Sequence, residues 1–146
     1  MKNYRERQTY YGAIEHMSGE VTVMPFSAGN GESTVAFIKH LRKKYAQKRL
    51  ILLWDGATYH THGEMMTYLQ QVNAGREPEA WMITCVLFAP HAPEQNPVED
   101  IWLRAKQCVR KNWRLCDTFR NVKRIFQDAI DGIFFHSEKL RMYSPI

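Results

Sequence analysis

Apolar residues run unbroken through Leu50-Ile-Leu-Leu-Trp54 and almost unbroken from Trp81 to Phe88, and each run is short and bounded by polar residues. Runs of this kind predict strands covered on both faces. A different period surrounds them. Val35, Phe37, Ile38, Leu41 and Tyr45 recur near helical spacing, which predicts a helix capped by Ser33 and running to about Gln47. Met65, Met66, Tyr68, Leu69 and Val72 predict a second helix over 63–73, and two more follow over 97–113 and 118–135. Near the start, residues 9–16 and 20–26 are rich in β-formers and flank Met17-Ser-Gly19, the pattern of a hairpin. The order β-β-α-β-α-β-α-α predicts an α/β fold, a mixed sheet with helices on its faces. Polar residues 74–80 read as a loop. With no repeat or linker in its 146 residues, the chain is expected to form a single domain, 1–146.

Charge sharpens the picture. The net charge of +5 permits a polyanionic partner, and its distribution favours one. Residues 39–49 contain Lys39, Arg42, Lys43, Lys44, Lys48 and Arg49 with no acid. Residues 100–124 contain eight bases (Arg104, Lys106, Arg110, Lys111, Arg114, Arg120, Lys123, Arg124) against Asp100 and Asp117. Cys85, Cys108 and Cys116 are odd in number and lack zinc-knuckle spacing, so reduced structural thiols are expected. No stretch is apolar for long enough to span a bilayer and no signal core precedes the domain, which points to the cytoplasm.

Two acids stand where chemistry is often built. Asp55 closes the apolar run 50–54, and open α/β sheets bind ligands beyond the carboxyl ends of their strands. An Asp-Gly pair suits a simple turn equally well. Asn96-Pro-Val-Glu99 reads as a helix start: Asn96 as cap, Pro97 in the first turn, and Glu99 placed to reach back as a capping box. A carboxylate there can face a metal instead. In the helix that follows, Val98, Ile101, Trp102, Ala105 and Val109 form the apolar stripe, and Glu99, Lys106 and Arg110 share an adjoining polar line. That line suits a metal at one end and phosphates along the rest, or a solvated face that follows the helix dipole. His60 lies in the polar segment after Asp55 and could orient a carboxylate or water, or touch a phosphate. The other histidines show no ligand spacing.

Leu53-Trp-Asp55-Gly-Ala-Thr-Tyr-His60 and Phe88-Ala-Pro90-His-Ala-Pro93-Glu-Gln-Asn96-Pro97-Val-Glu99-Asp-Ile-Trp102-Leu-Arg-Ala-Lys106 together resemble the DDE transposases of bacterial insertion sequences related to the mariner group. Tyr11-Gly-Ala-Ile with Ser18-Gly19 is similar to that family's second and third strands, so the likeness spans roughly residues 8–130. It implies a ribonuclease H-like fold in which three acids hold two Mg²⁺ (or Mn²⁺) ions. It further implies cleavage at transposon ends and strand transfer into target DNA. Asp55 matches the second acid and Glu99 the third, both as catalytic residues and metal ligands. His60, Asn96, Trp102 and Lys106 match neighbours of the site. Lys106, Arg110, Arg104, Lys43 and Lys44 are the candidate DNA contacts.

Two departures accompany the likeness. Asp55 and Glu99 stand 44 positions apart, more than in many relatives, and the polar residues 74–80 are the natural place for the excess. The family's first strand, with its acid, and its helix-turn-helix region have no counterpart in these residues. The resulting expectation is the C-terminal part of a transposase catalytic domain, inactive or weakly active alone. It would be a decayed copy or one completed by an upstream reading frame, and it would associate with the nucleoid and act as a homodimer like the family. The alternatives are a non-catalytic DNA-binding protein and a metal-binding or interaction module built on the same two acids. Salt-sensitive, metal-independent DNA binding would favour the former.

Overall fold

A computed structural model describes residues 6–54, 63–88, 96–136 and 138. The chain clusters into two compact units, Met1–Ser27 with Glu94–Ile146, and Ala28–Pro93. Each has its own core.

The first unit is built on a hairpin. Strand β1 (Thr9–Ile14) pairs antiparallel with β2 (Val21–Phe26), in a register that sets Gly12 opposite Val23 and Ile14 opposite Val21. The turn is held by Glu15, whose carboxylate accepts from the Ser18 hydroxyl at 2.5 Å, the Ser18 N–H at 2.6 Å and the Met17 N–H at 3.1 Å. Partial burial raises its pKa, but the Ser18 and Met17 bonds and nearby His16 outweigh that and leave the carboxyl below its ordinary value. Gly19, at φ 77°, supplies the left-handed turn residue. Helix α3 (Val98–Lys111) and helix α4 (Phe119–Asp128) pack on the hairpin. Val21, Val23, Ile101, Ala105 and Ile130 form the core, flanked by Tyr10, Trp102 and Phe126. The Tyr10 and Phe126 rings stack at 4.8 Å, and Trp102 stacks on Phe126 at 6.1 Å. Gly12 lies beneath the Trp102 ring; a Cβ there would stand 2.7 Å from Trp102 Cη2.

The second unit pairs α1 (Gly31–Lys44) and α2 (Glu64–Asn73) with strands β3 (Leu50–Trp54) and β4 (Ile83–Leu87). The strands are parallel, with Leu52 opposite Cys85. Ile38, Met65, Tyr68 and Ile83 make its core, and Leu52, Trp54 and Cys85 pack against them. Burial pushes the Cys85 thiol up to about 11, so it stays protonated and inert at neutral pH, as a structural thiol should.

Several boundaries differ from the sequence reading. Asn30, not Ser33, caps α1: its Oδ1 accepts from the Ser33 N–H at 2.8 Å, and Ser33 is buried inside the first turn. The two apolar strands are covered on one face rather than two, since Ile51, Leu53 and Val86, which share the other face, are exposed. The loop 74–80 contains a 3-10 turn, Pro78–Ala80. The last helix stops at Asp128, well short of Phe135, because the chain past it is recruited by β2. Gly132 N–H donates to Val21 O at 2.9 Å, Val21 N–H to Ile133 O at 2.9 Å, and Val23 N–H to Asp131 Oδ1 at 3.2 Å.

The strands form two separate two-stranded sheets rather than one mixed sheet, and no strand among the described residues pairs with both. Their edges are treated unequally. The Glu15 N–H to Glu20 O bond fixes which residues of the hairpin bond across it, so Tyr10, Gly12 and Ile14 turn their backbone groups to the outer edge of β1, and Val21, Val23 and Pro25 turn theirs to the outer edge of β2. The β2 edge is closed by residues 131–133, and Pro25 has no N–H to offer. The β1 edge has no backbone partner among the described residues. In the second unit the start of β4 is capped by Asn73, whose side chain bonds Ile83 O and the N–H groups of Met82 and Ile83. The Ile51 and Leu53 backbone groups face away from β4 and have no backbone partner among the described residues.

Gly12→Ala is expected to push the Trp102 ring off the hairpin and cost about 1–3 kcal/mol, read as a lower urea midpoint with an unchanged slope; an unaltered midpoint would refute the tight contact. Glu15→Gln should lower stability at pH 7 by up to about 1 kcal/mol, solvent screening considered. Because the folded pKa is depressed, that contribution is present above the unfolded carboxylate range and fades as pH falls through the folded value. The wild-type and variant urea midpoints should therefore converge as pH falls below the folded value, and a gap that stays constant down the acid limb would contradict the assignment.

Candidate metal and DNA-binding site

Glu99 is positioned by the start of α3. Asn96 Oδ1 accepts from the Val98 N–H at 3.1 Å, and Asn96 O accepts from the Glu99 N–H at 3.1 Å. Pro97, at φ −60° and ψ −23°, is already helical and needs no donor. Asn96 thus works as the cap that the sequence predicts, with Pro97 in the first turn. The reciprocal half of the capping box is absent: Glu99 makes no side-chain hydrogen bond among the described residues. Its carboxylate is exposed in the first turn, where the helix dipole favours negative charge.

Rotation about α3 is fixed by its buried stripe. Ile101 and Ala105 are fully buried, and Val98, Trp102 and Val109 are half-buried, as the period predicts. Glu99, Lys106 and Arg110 are consequently exposed on one line, the last lying about 16 Å along the axis from the first at 1.5 Å rise per residue. Arg104 is exposed too but does not join that line, since at about 100° per residue it points about 140° away from Glu99. Its angular companion is Lys111. Lys43 and Lys44 are exposed in the last turn of α1, in the other unit.

Asp55 and His60 lie outside the described residues, as do residues 89–95. Among the described residues no group of three or more His, Cys, Asp or Glu could hold a metal ion, and no helix is long and apolar enough to cross a membrane. Missed in the sequence reading is the turn after α3, where Trp113 is 67% exposed beside Arg114. An aromatic residue between bases at the end of an amphipathic helix is the signal that could have found it.

Glu99→Gln preserves the helix start, whereas Asn96→Ala removes its cap and should cost about 1 kcal/mol. The thermal midpoints of the two variants should separate accordingly, with E99Q near wild type and N96A below it. Equal losses would mean that Glu99 is part of the cap.

Comparison with known proteins gives a family from one source and a fold from another. The model of the DDE superfamily endonucleases matches residues 2–123. A search of curated proteins finds no match. Among solved structures, the catalytic core domain of BIV integrase superposes with a TM-score of 0.56 at 18% identity, covering 93% of this chain and 85% of that one. A chain of the simian T-cell lymphotropic virus intasome, solved in complex with PP2A regulatory subunit B56 gamma, gives a TM-score of 0.56 at 11% identity. That match covers 82% of this chain, which spans only 41% of the intasome chain. At such identities the structures speak for the fold, and they bear out the ribonuclease H-like class. With the family model covering most of its length, this chain belongs to the DDE superfamily of endonucleases.

Proposed function

We propose that this chain is the C-terminal part of the catalytic domain of a mariner-related insertion-sequence transposase, a cytoplasmic, nucleoid-associated protein that cleaves and joins DNA. The observation that carries the reading is the exposed carboxylate of Glu99, without a side-chain hydrogen bond among the described residues, at the head of a line continued by Lys106 and Arg110. Hard oxygen donors fit Mg²⁺ or Mn²⁺, and Glu99 with Asp55 would hold it. Bound there, the metal supplies Lewis-acid stabilisation of charge on the oxygens of an in-line phosphoryl transfer. Asn96 keeps the helix start fixed so that the Glu99 carboxylate is presented in one orientation. Lys106 and Arg110 bind DNA phosphates farther along the helix, and His60 is the candidate to orient Asp55.

The domain is completed, in this reading, by a strand carrying a further acid from outside residues 1–146, such as an upstream reading frame would supply. The contrast between the closed β2 edge and the open β1 edge supports it. A two-stranded sheet is marginal alone, and a strand added to β1 would extend it. The chain alone should then bind DNA in a salt-sensitive way yet cleave it poorly. A second reading, a DNA-binding protein without catalysis, is favoured by the same basic residues.

The test is nicking of a transposon-end duplex by 1–146, with Mg²⁺ or Mn²⁺, alone and with added upstream polypeptide. Weak or no nicking alone, and a strong gain on addition that Asp55→Ala or Glu99→Gln reduces at least about 100-fold, is the expected result. Efficient nicking by 1–146 alone that Asp55→Ala abolishes would refute incompleteness. Nicking indifferent to both substitutions would refute the assigned acids. Salt-sensitive binding without metal dependence in any combination would establish the second reading.

A further inference from the structure

The turn after α3 leaves a large aromatic side chain in water. Trp113 is 67% exposed and Leu115, two residues on, is 57% exposed. The turn itself is firmly braced. Asn112 Nδ2 donates to Cys108 O at 2.8 Å, Leu115 N–H to Asn112 O at 2.9 Å, and Cys116 N–H to Trp113 O at 3.1 Å. The Cys116 thiol lies 3.4 Å from Asn112 O. Trp113 is therefore displayed on a fixed 3-10 turn, Trp113–Leu115, rather than on a loose loop.

Its neighbours along the chain are cationic. Arg110 and Lys111 end α3, and the Arg114 guanidinium lies 5.4 Å from the Trp113 ring centroid. No acid occurs between Asp100 and Asp117. The Asp117 carboxylate accepts from Asn121 Nδ2 at 2.7 Å. An apolar partner face would not call for three cations around its anchor. A nucleobase joined to phosphates matches both halves of the patch, the π-face for the ring and the phosphates for the bases.

We propose that Trp113 is a stacking platform for an unpaired base of DNA, with Arg110, Lys111 and Arg114 holding the flanking phosphates. The inference rests on the DNA-acting reading above and adds to it a preference for single-stranded or frayed ends. A base inside an intact duplex has both faces covered by its neighbours. Only an unpaired base offers a face to Trp113 without the cost of opening the helix.

The experiment compares the full chain on a blunt duplex and on the same duplex with a single-stranded 3′ overhang, by fluorescence anisotropy without metal. Trp113→Ala should weaken overhang binding about tenfold and blunt-duplex binding less than about twofold, with the salt slope unchanged. Trp113→Phe should recover most of the loss. Arg114→Gln should weaken both substrates and lower the salt slope by about one. Equal losses on both substrates for Trp113→Ala, or no loss on either, would overturn the platform while leaving DNA binding itself intact. Self-association of the wild type that Trp113→Ala abolishes in sedimentation would also overturn it, by assigning the patch to a second copy. Wild-type protein that binds neither substrate would defeat the DNA-acting reading and the platform with it.

Discussion

The seating of α3 on the hairpin governs the candidate site. Trp102 can lie flat because Gly12 presents no side chain, and that close approach lets Ile101 and Ala105 reach the core beside Val21 and Val23. Burying those side chains contributes on the order of 1.5–3 kcal/mol for each large one, and none of it is available at another rotation of the helix. Polar residues have no comparable say in the matter. The directions of Glu99, Lys106 and Arg110 are a by-product of apolar packing on the opposite side of the same helix.

That division of labour leaves Glu99 without a side-chain hydrogen bond among the described residues. A carboxylate committed to its own helix cap would lose a good hydrogen bond on turning toward a cation. Here Asn96 and Pro97 satisfy the helix start by themselves. The local fold therefore places no demand of its own on the Glu99 side chain, and the helix start is the work of its neighbours. The same economy appears in the hairpin turn, where Glu15 is wholly engaged by Ser18 and Met17 and contributes shape alone.

Local patterns in the sequence were a good guide where the physics is local. The hairpin, the apolar stripe of α3, the Asn96 cap and the start of the last helix at Thr118, whose side chain accepts from the Asn121 N–H at 3.2 Å, all follow from neighbours within a few residues. What escaped the reading depends on distant parts of the chain. The last helix ends early because Asp131 and Gly132 serve β2, more than a hundred positions away. Continuous apolar strands foretell two covered faces, yet Ile51 and Leu53 are exposed, since coverage depends on what else reaches the sheet. On α3, the line through Glu99, Lys106 and Arg110 was legible from angle alone, and the same angle sets Arg104 apart from it. Asp55 was legible only as a motif.

The unequal edges of the hairpin carry a consequence for solubility. Exposed strand edges are templates from which fibres grow, and growth requires that each added molecule present a fresh template in turn. This hairpin cannot do so: Asp131, residues 132–133 and Pro25 seal the β2 side. Anything that docks along Tyr10, Gly12 and Ile14 meets a dead end one strand later. Edge-to-edge association of this hairpin through β1 is terminated at a pair, so that edge cannot become the seed of an aggregate.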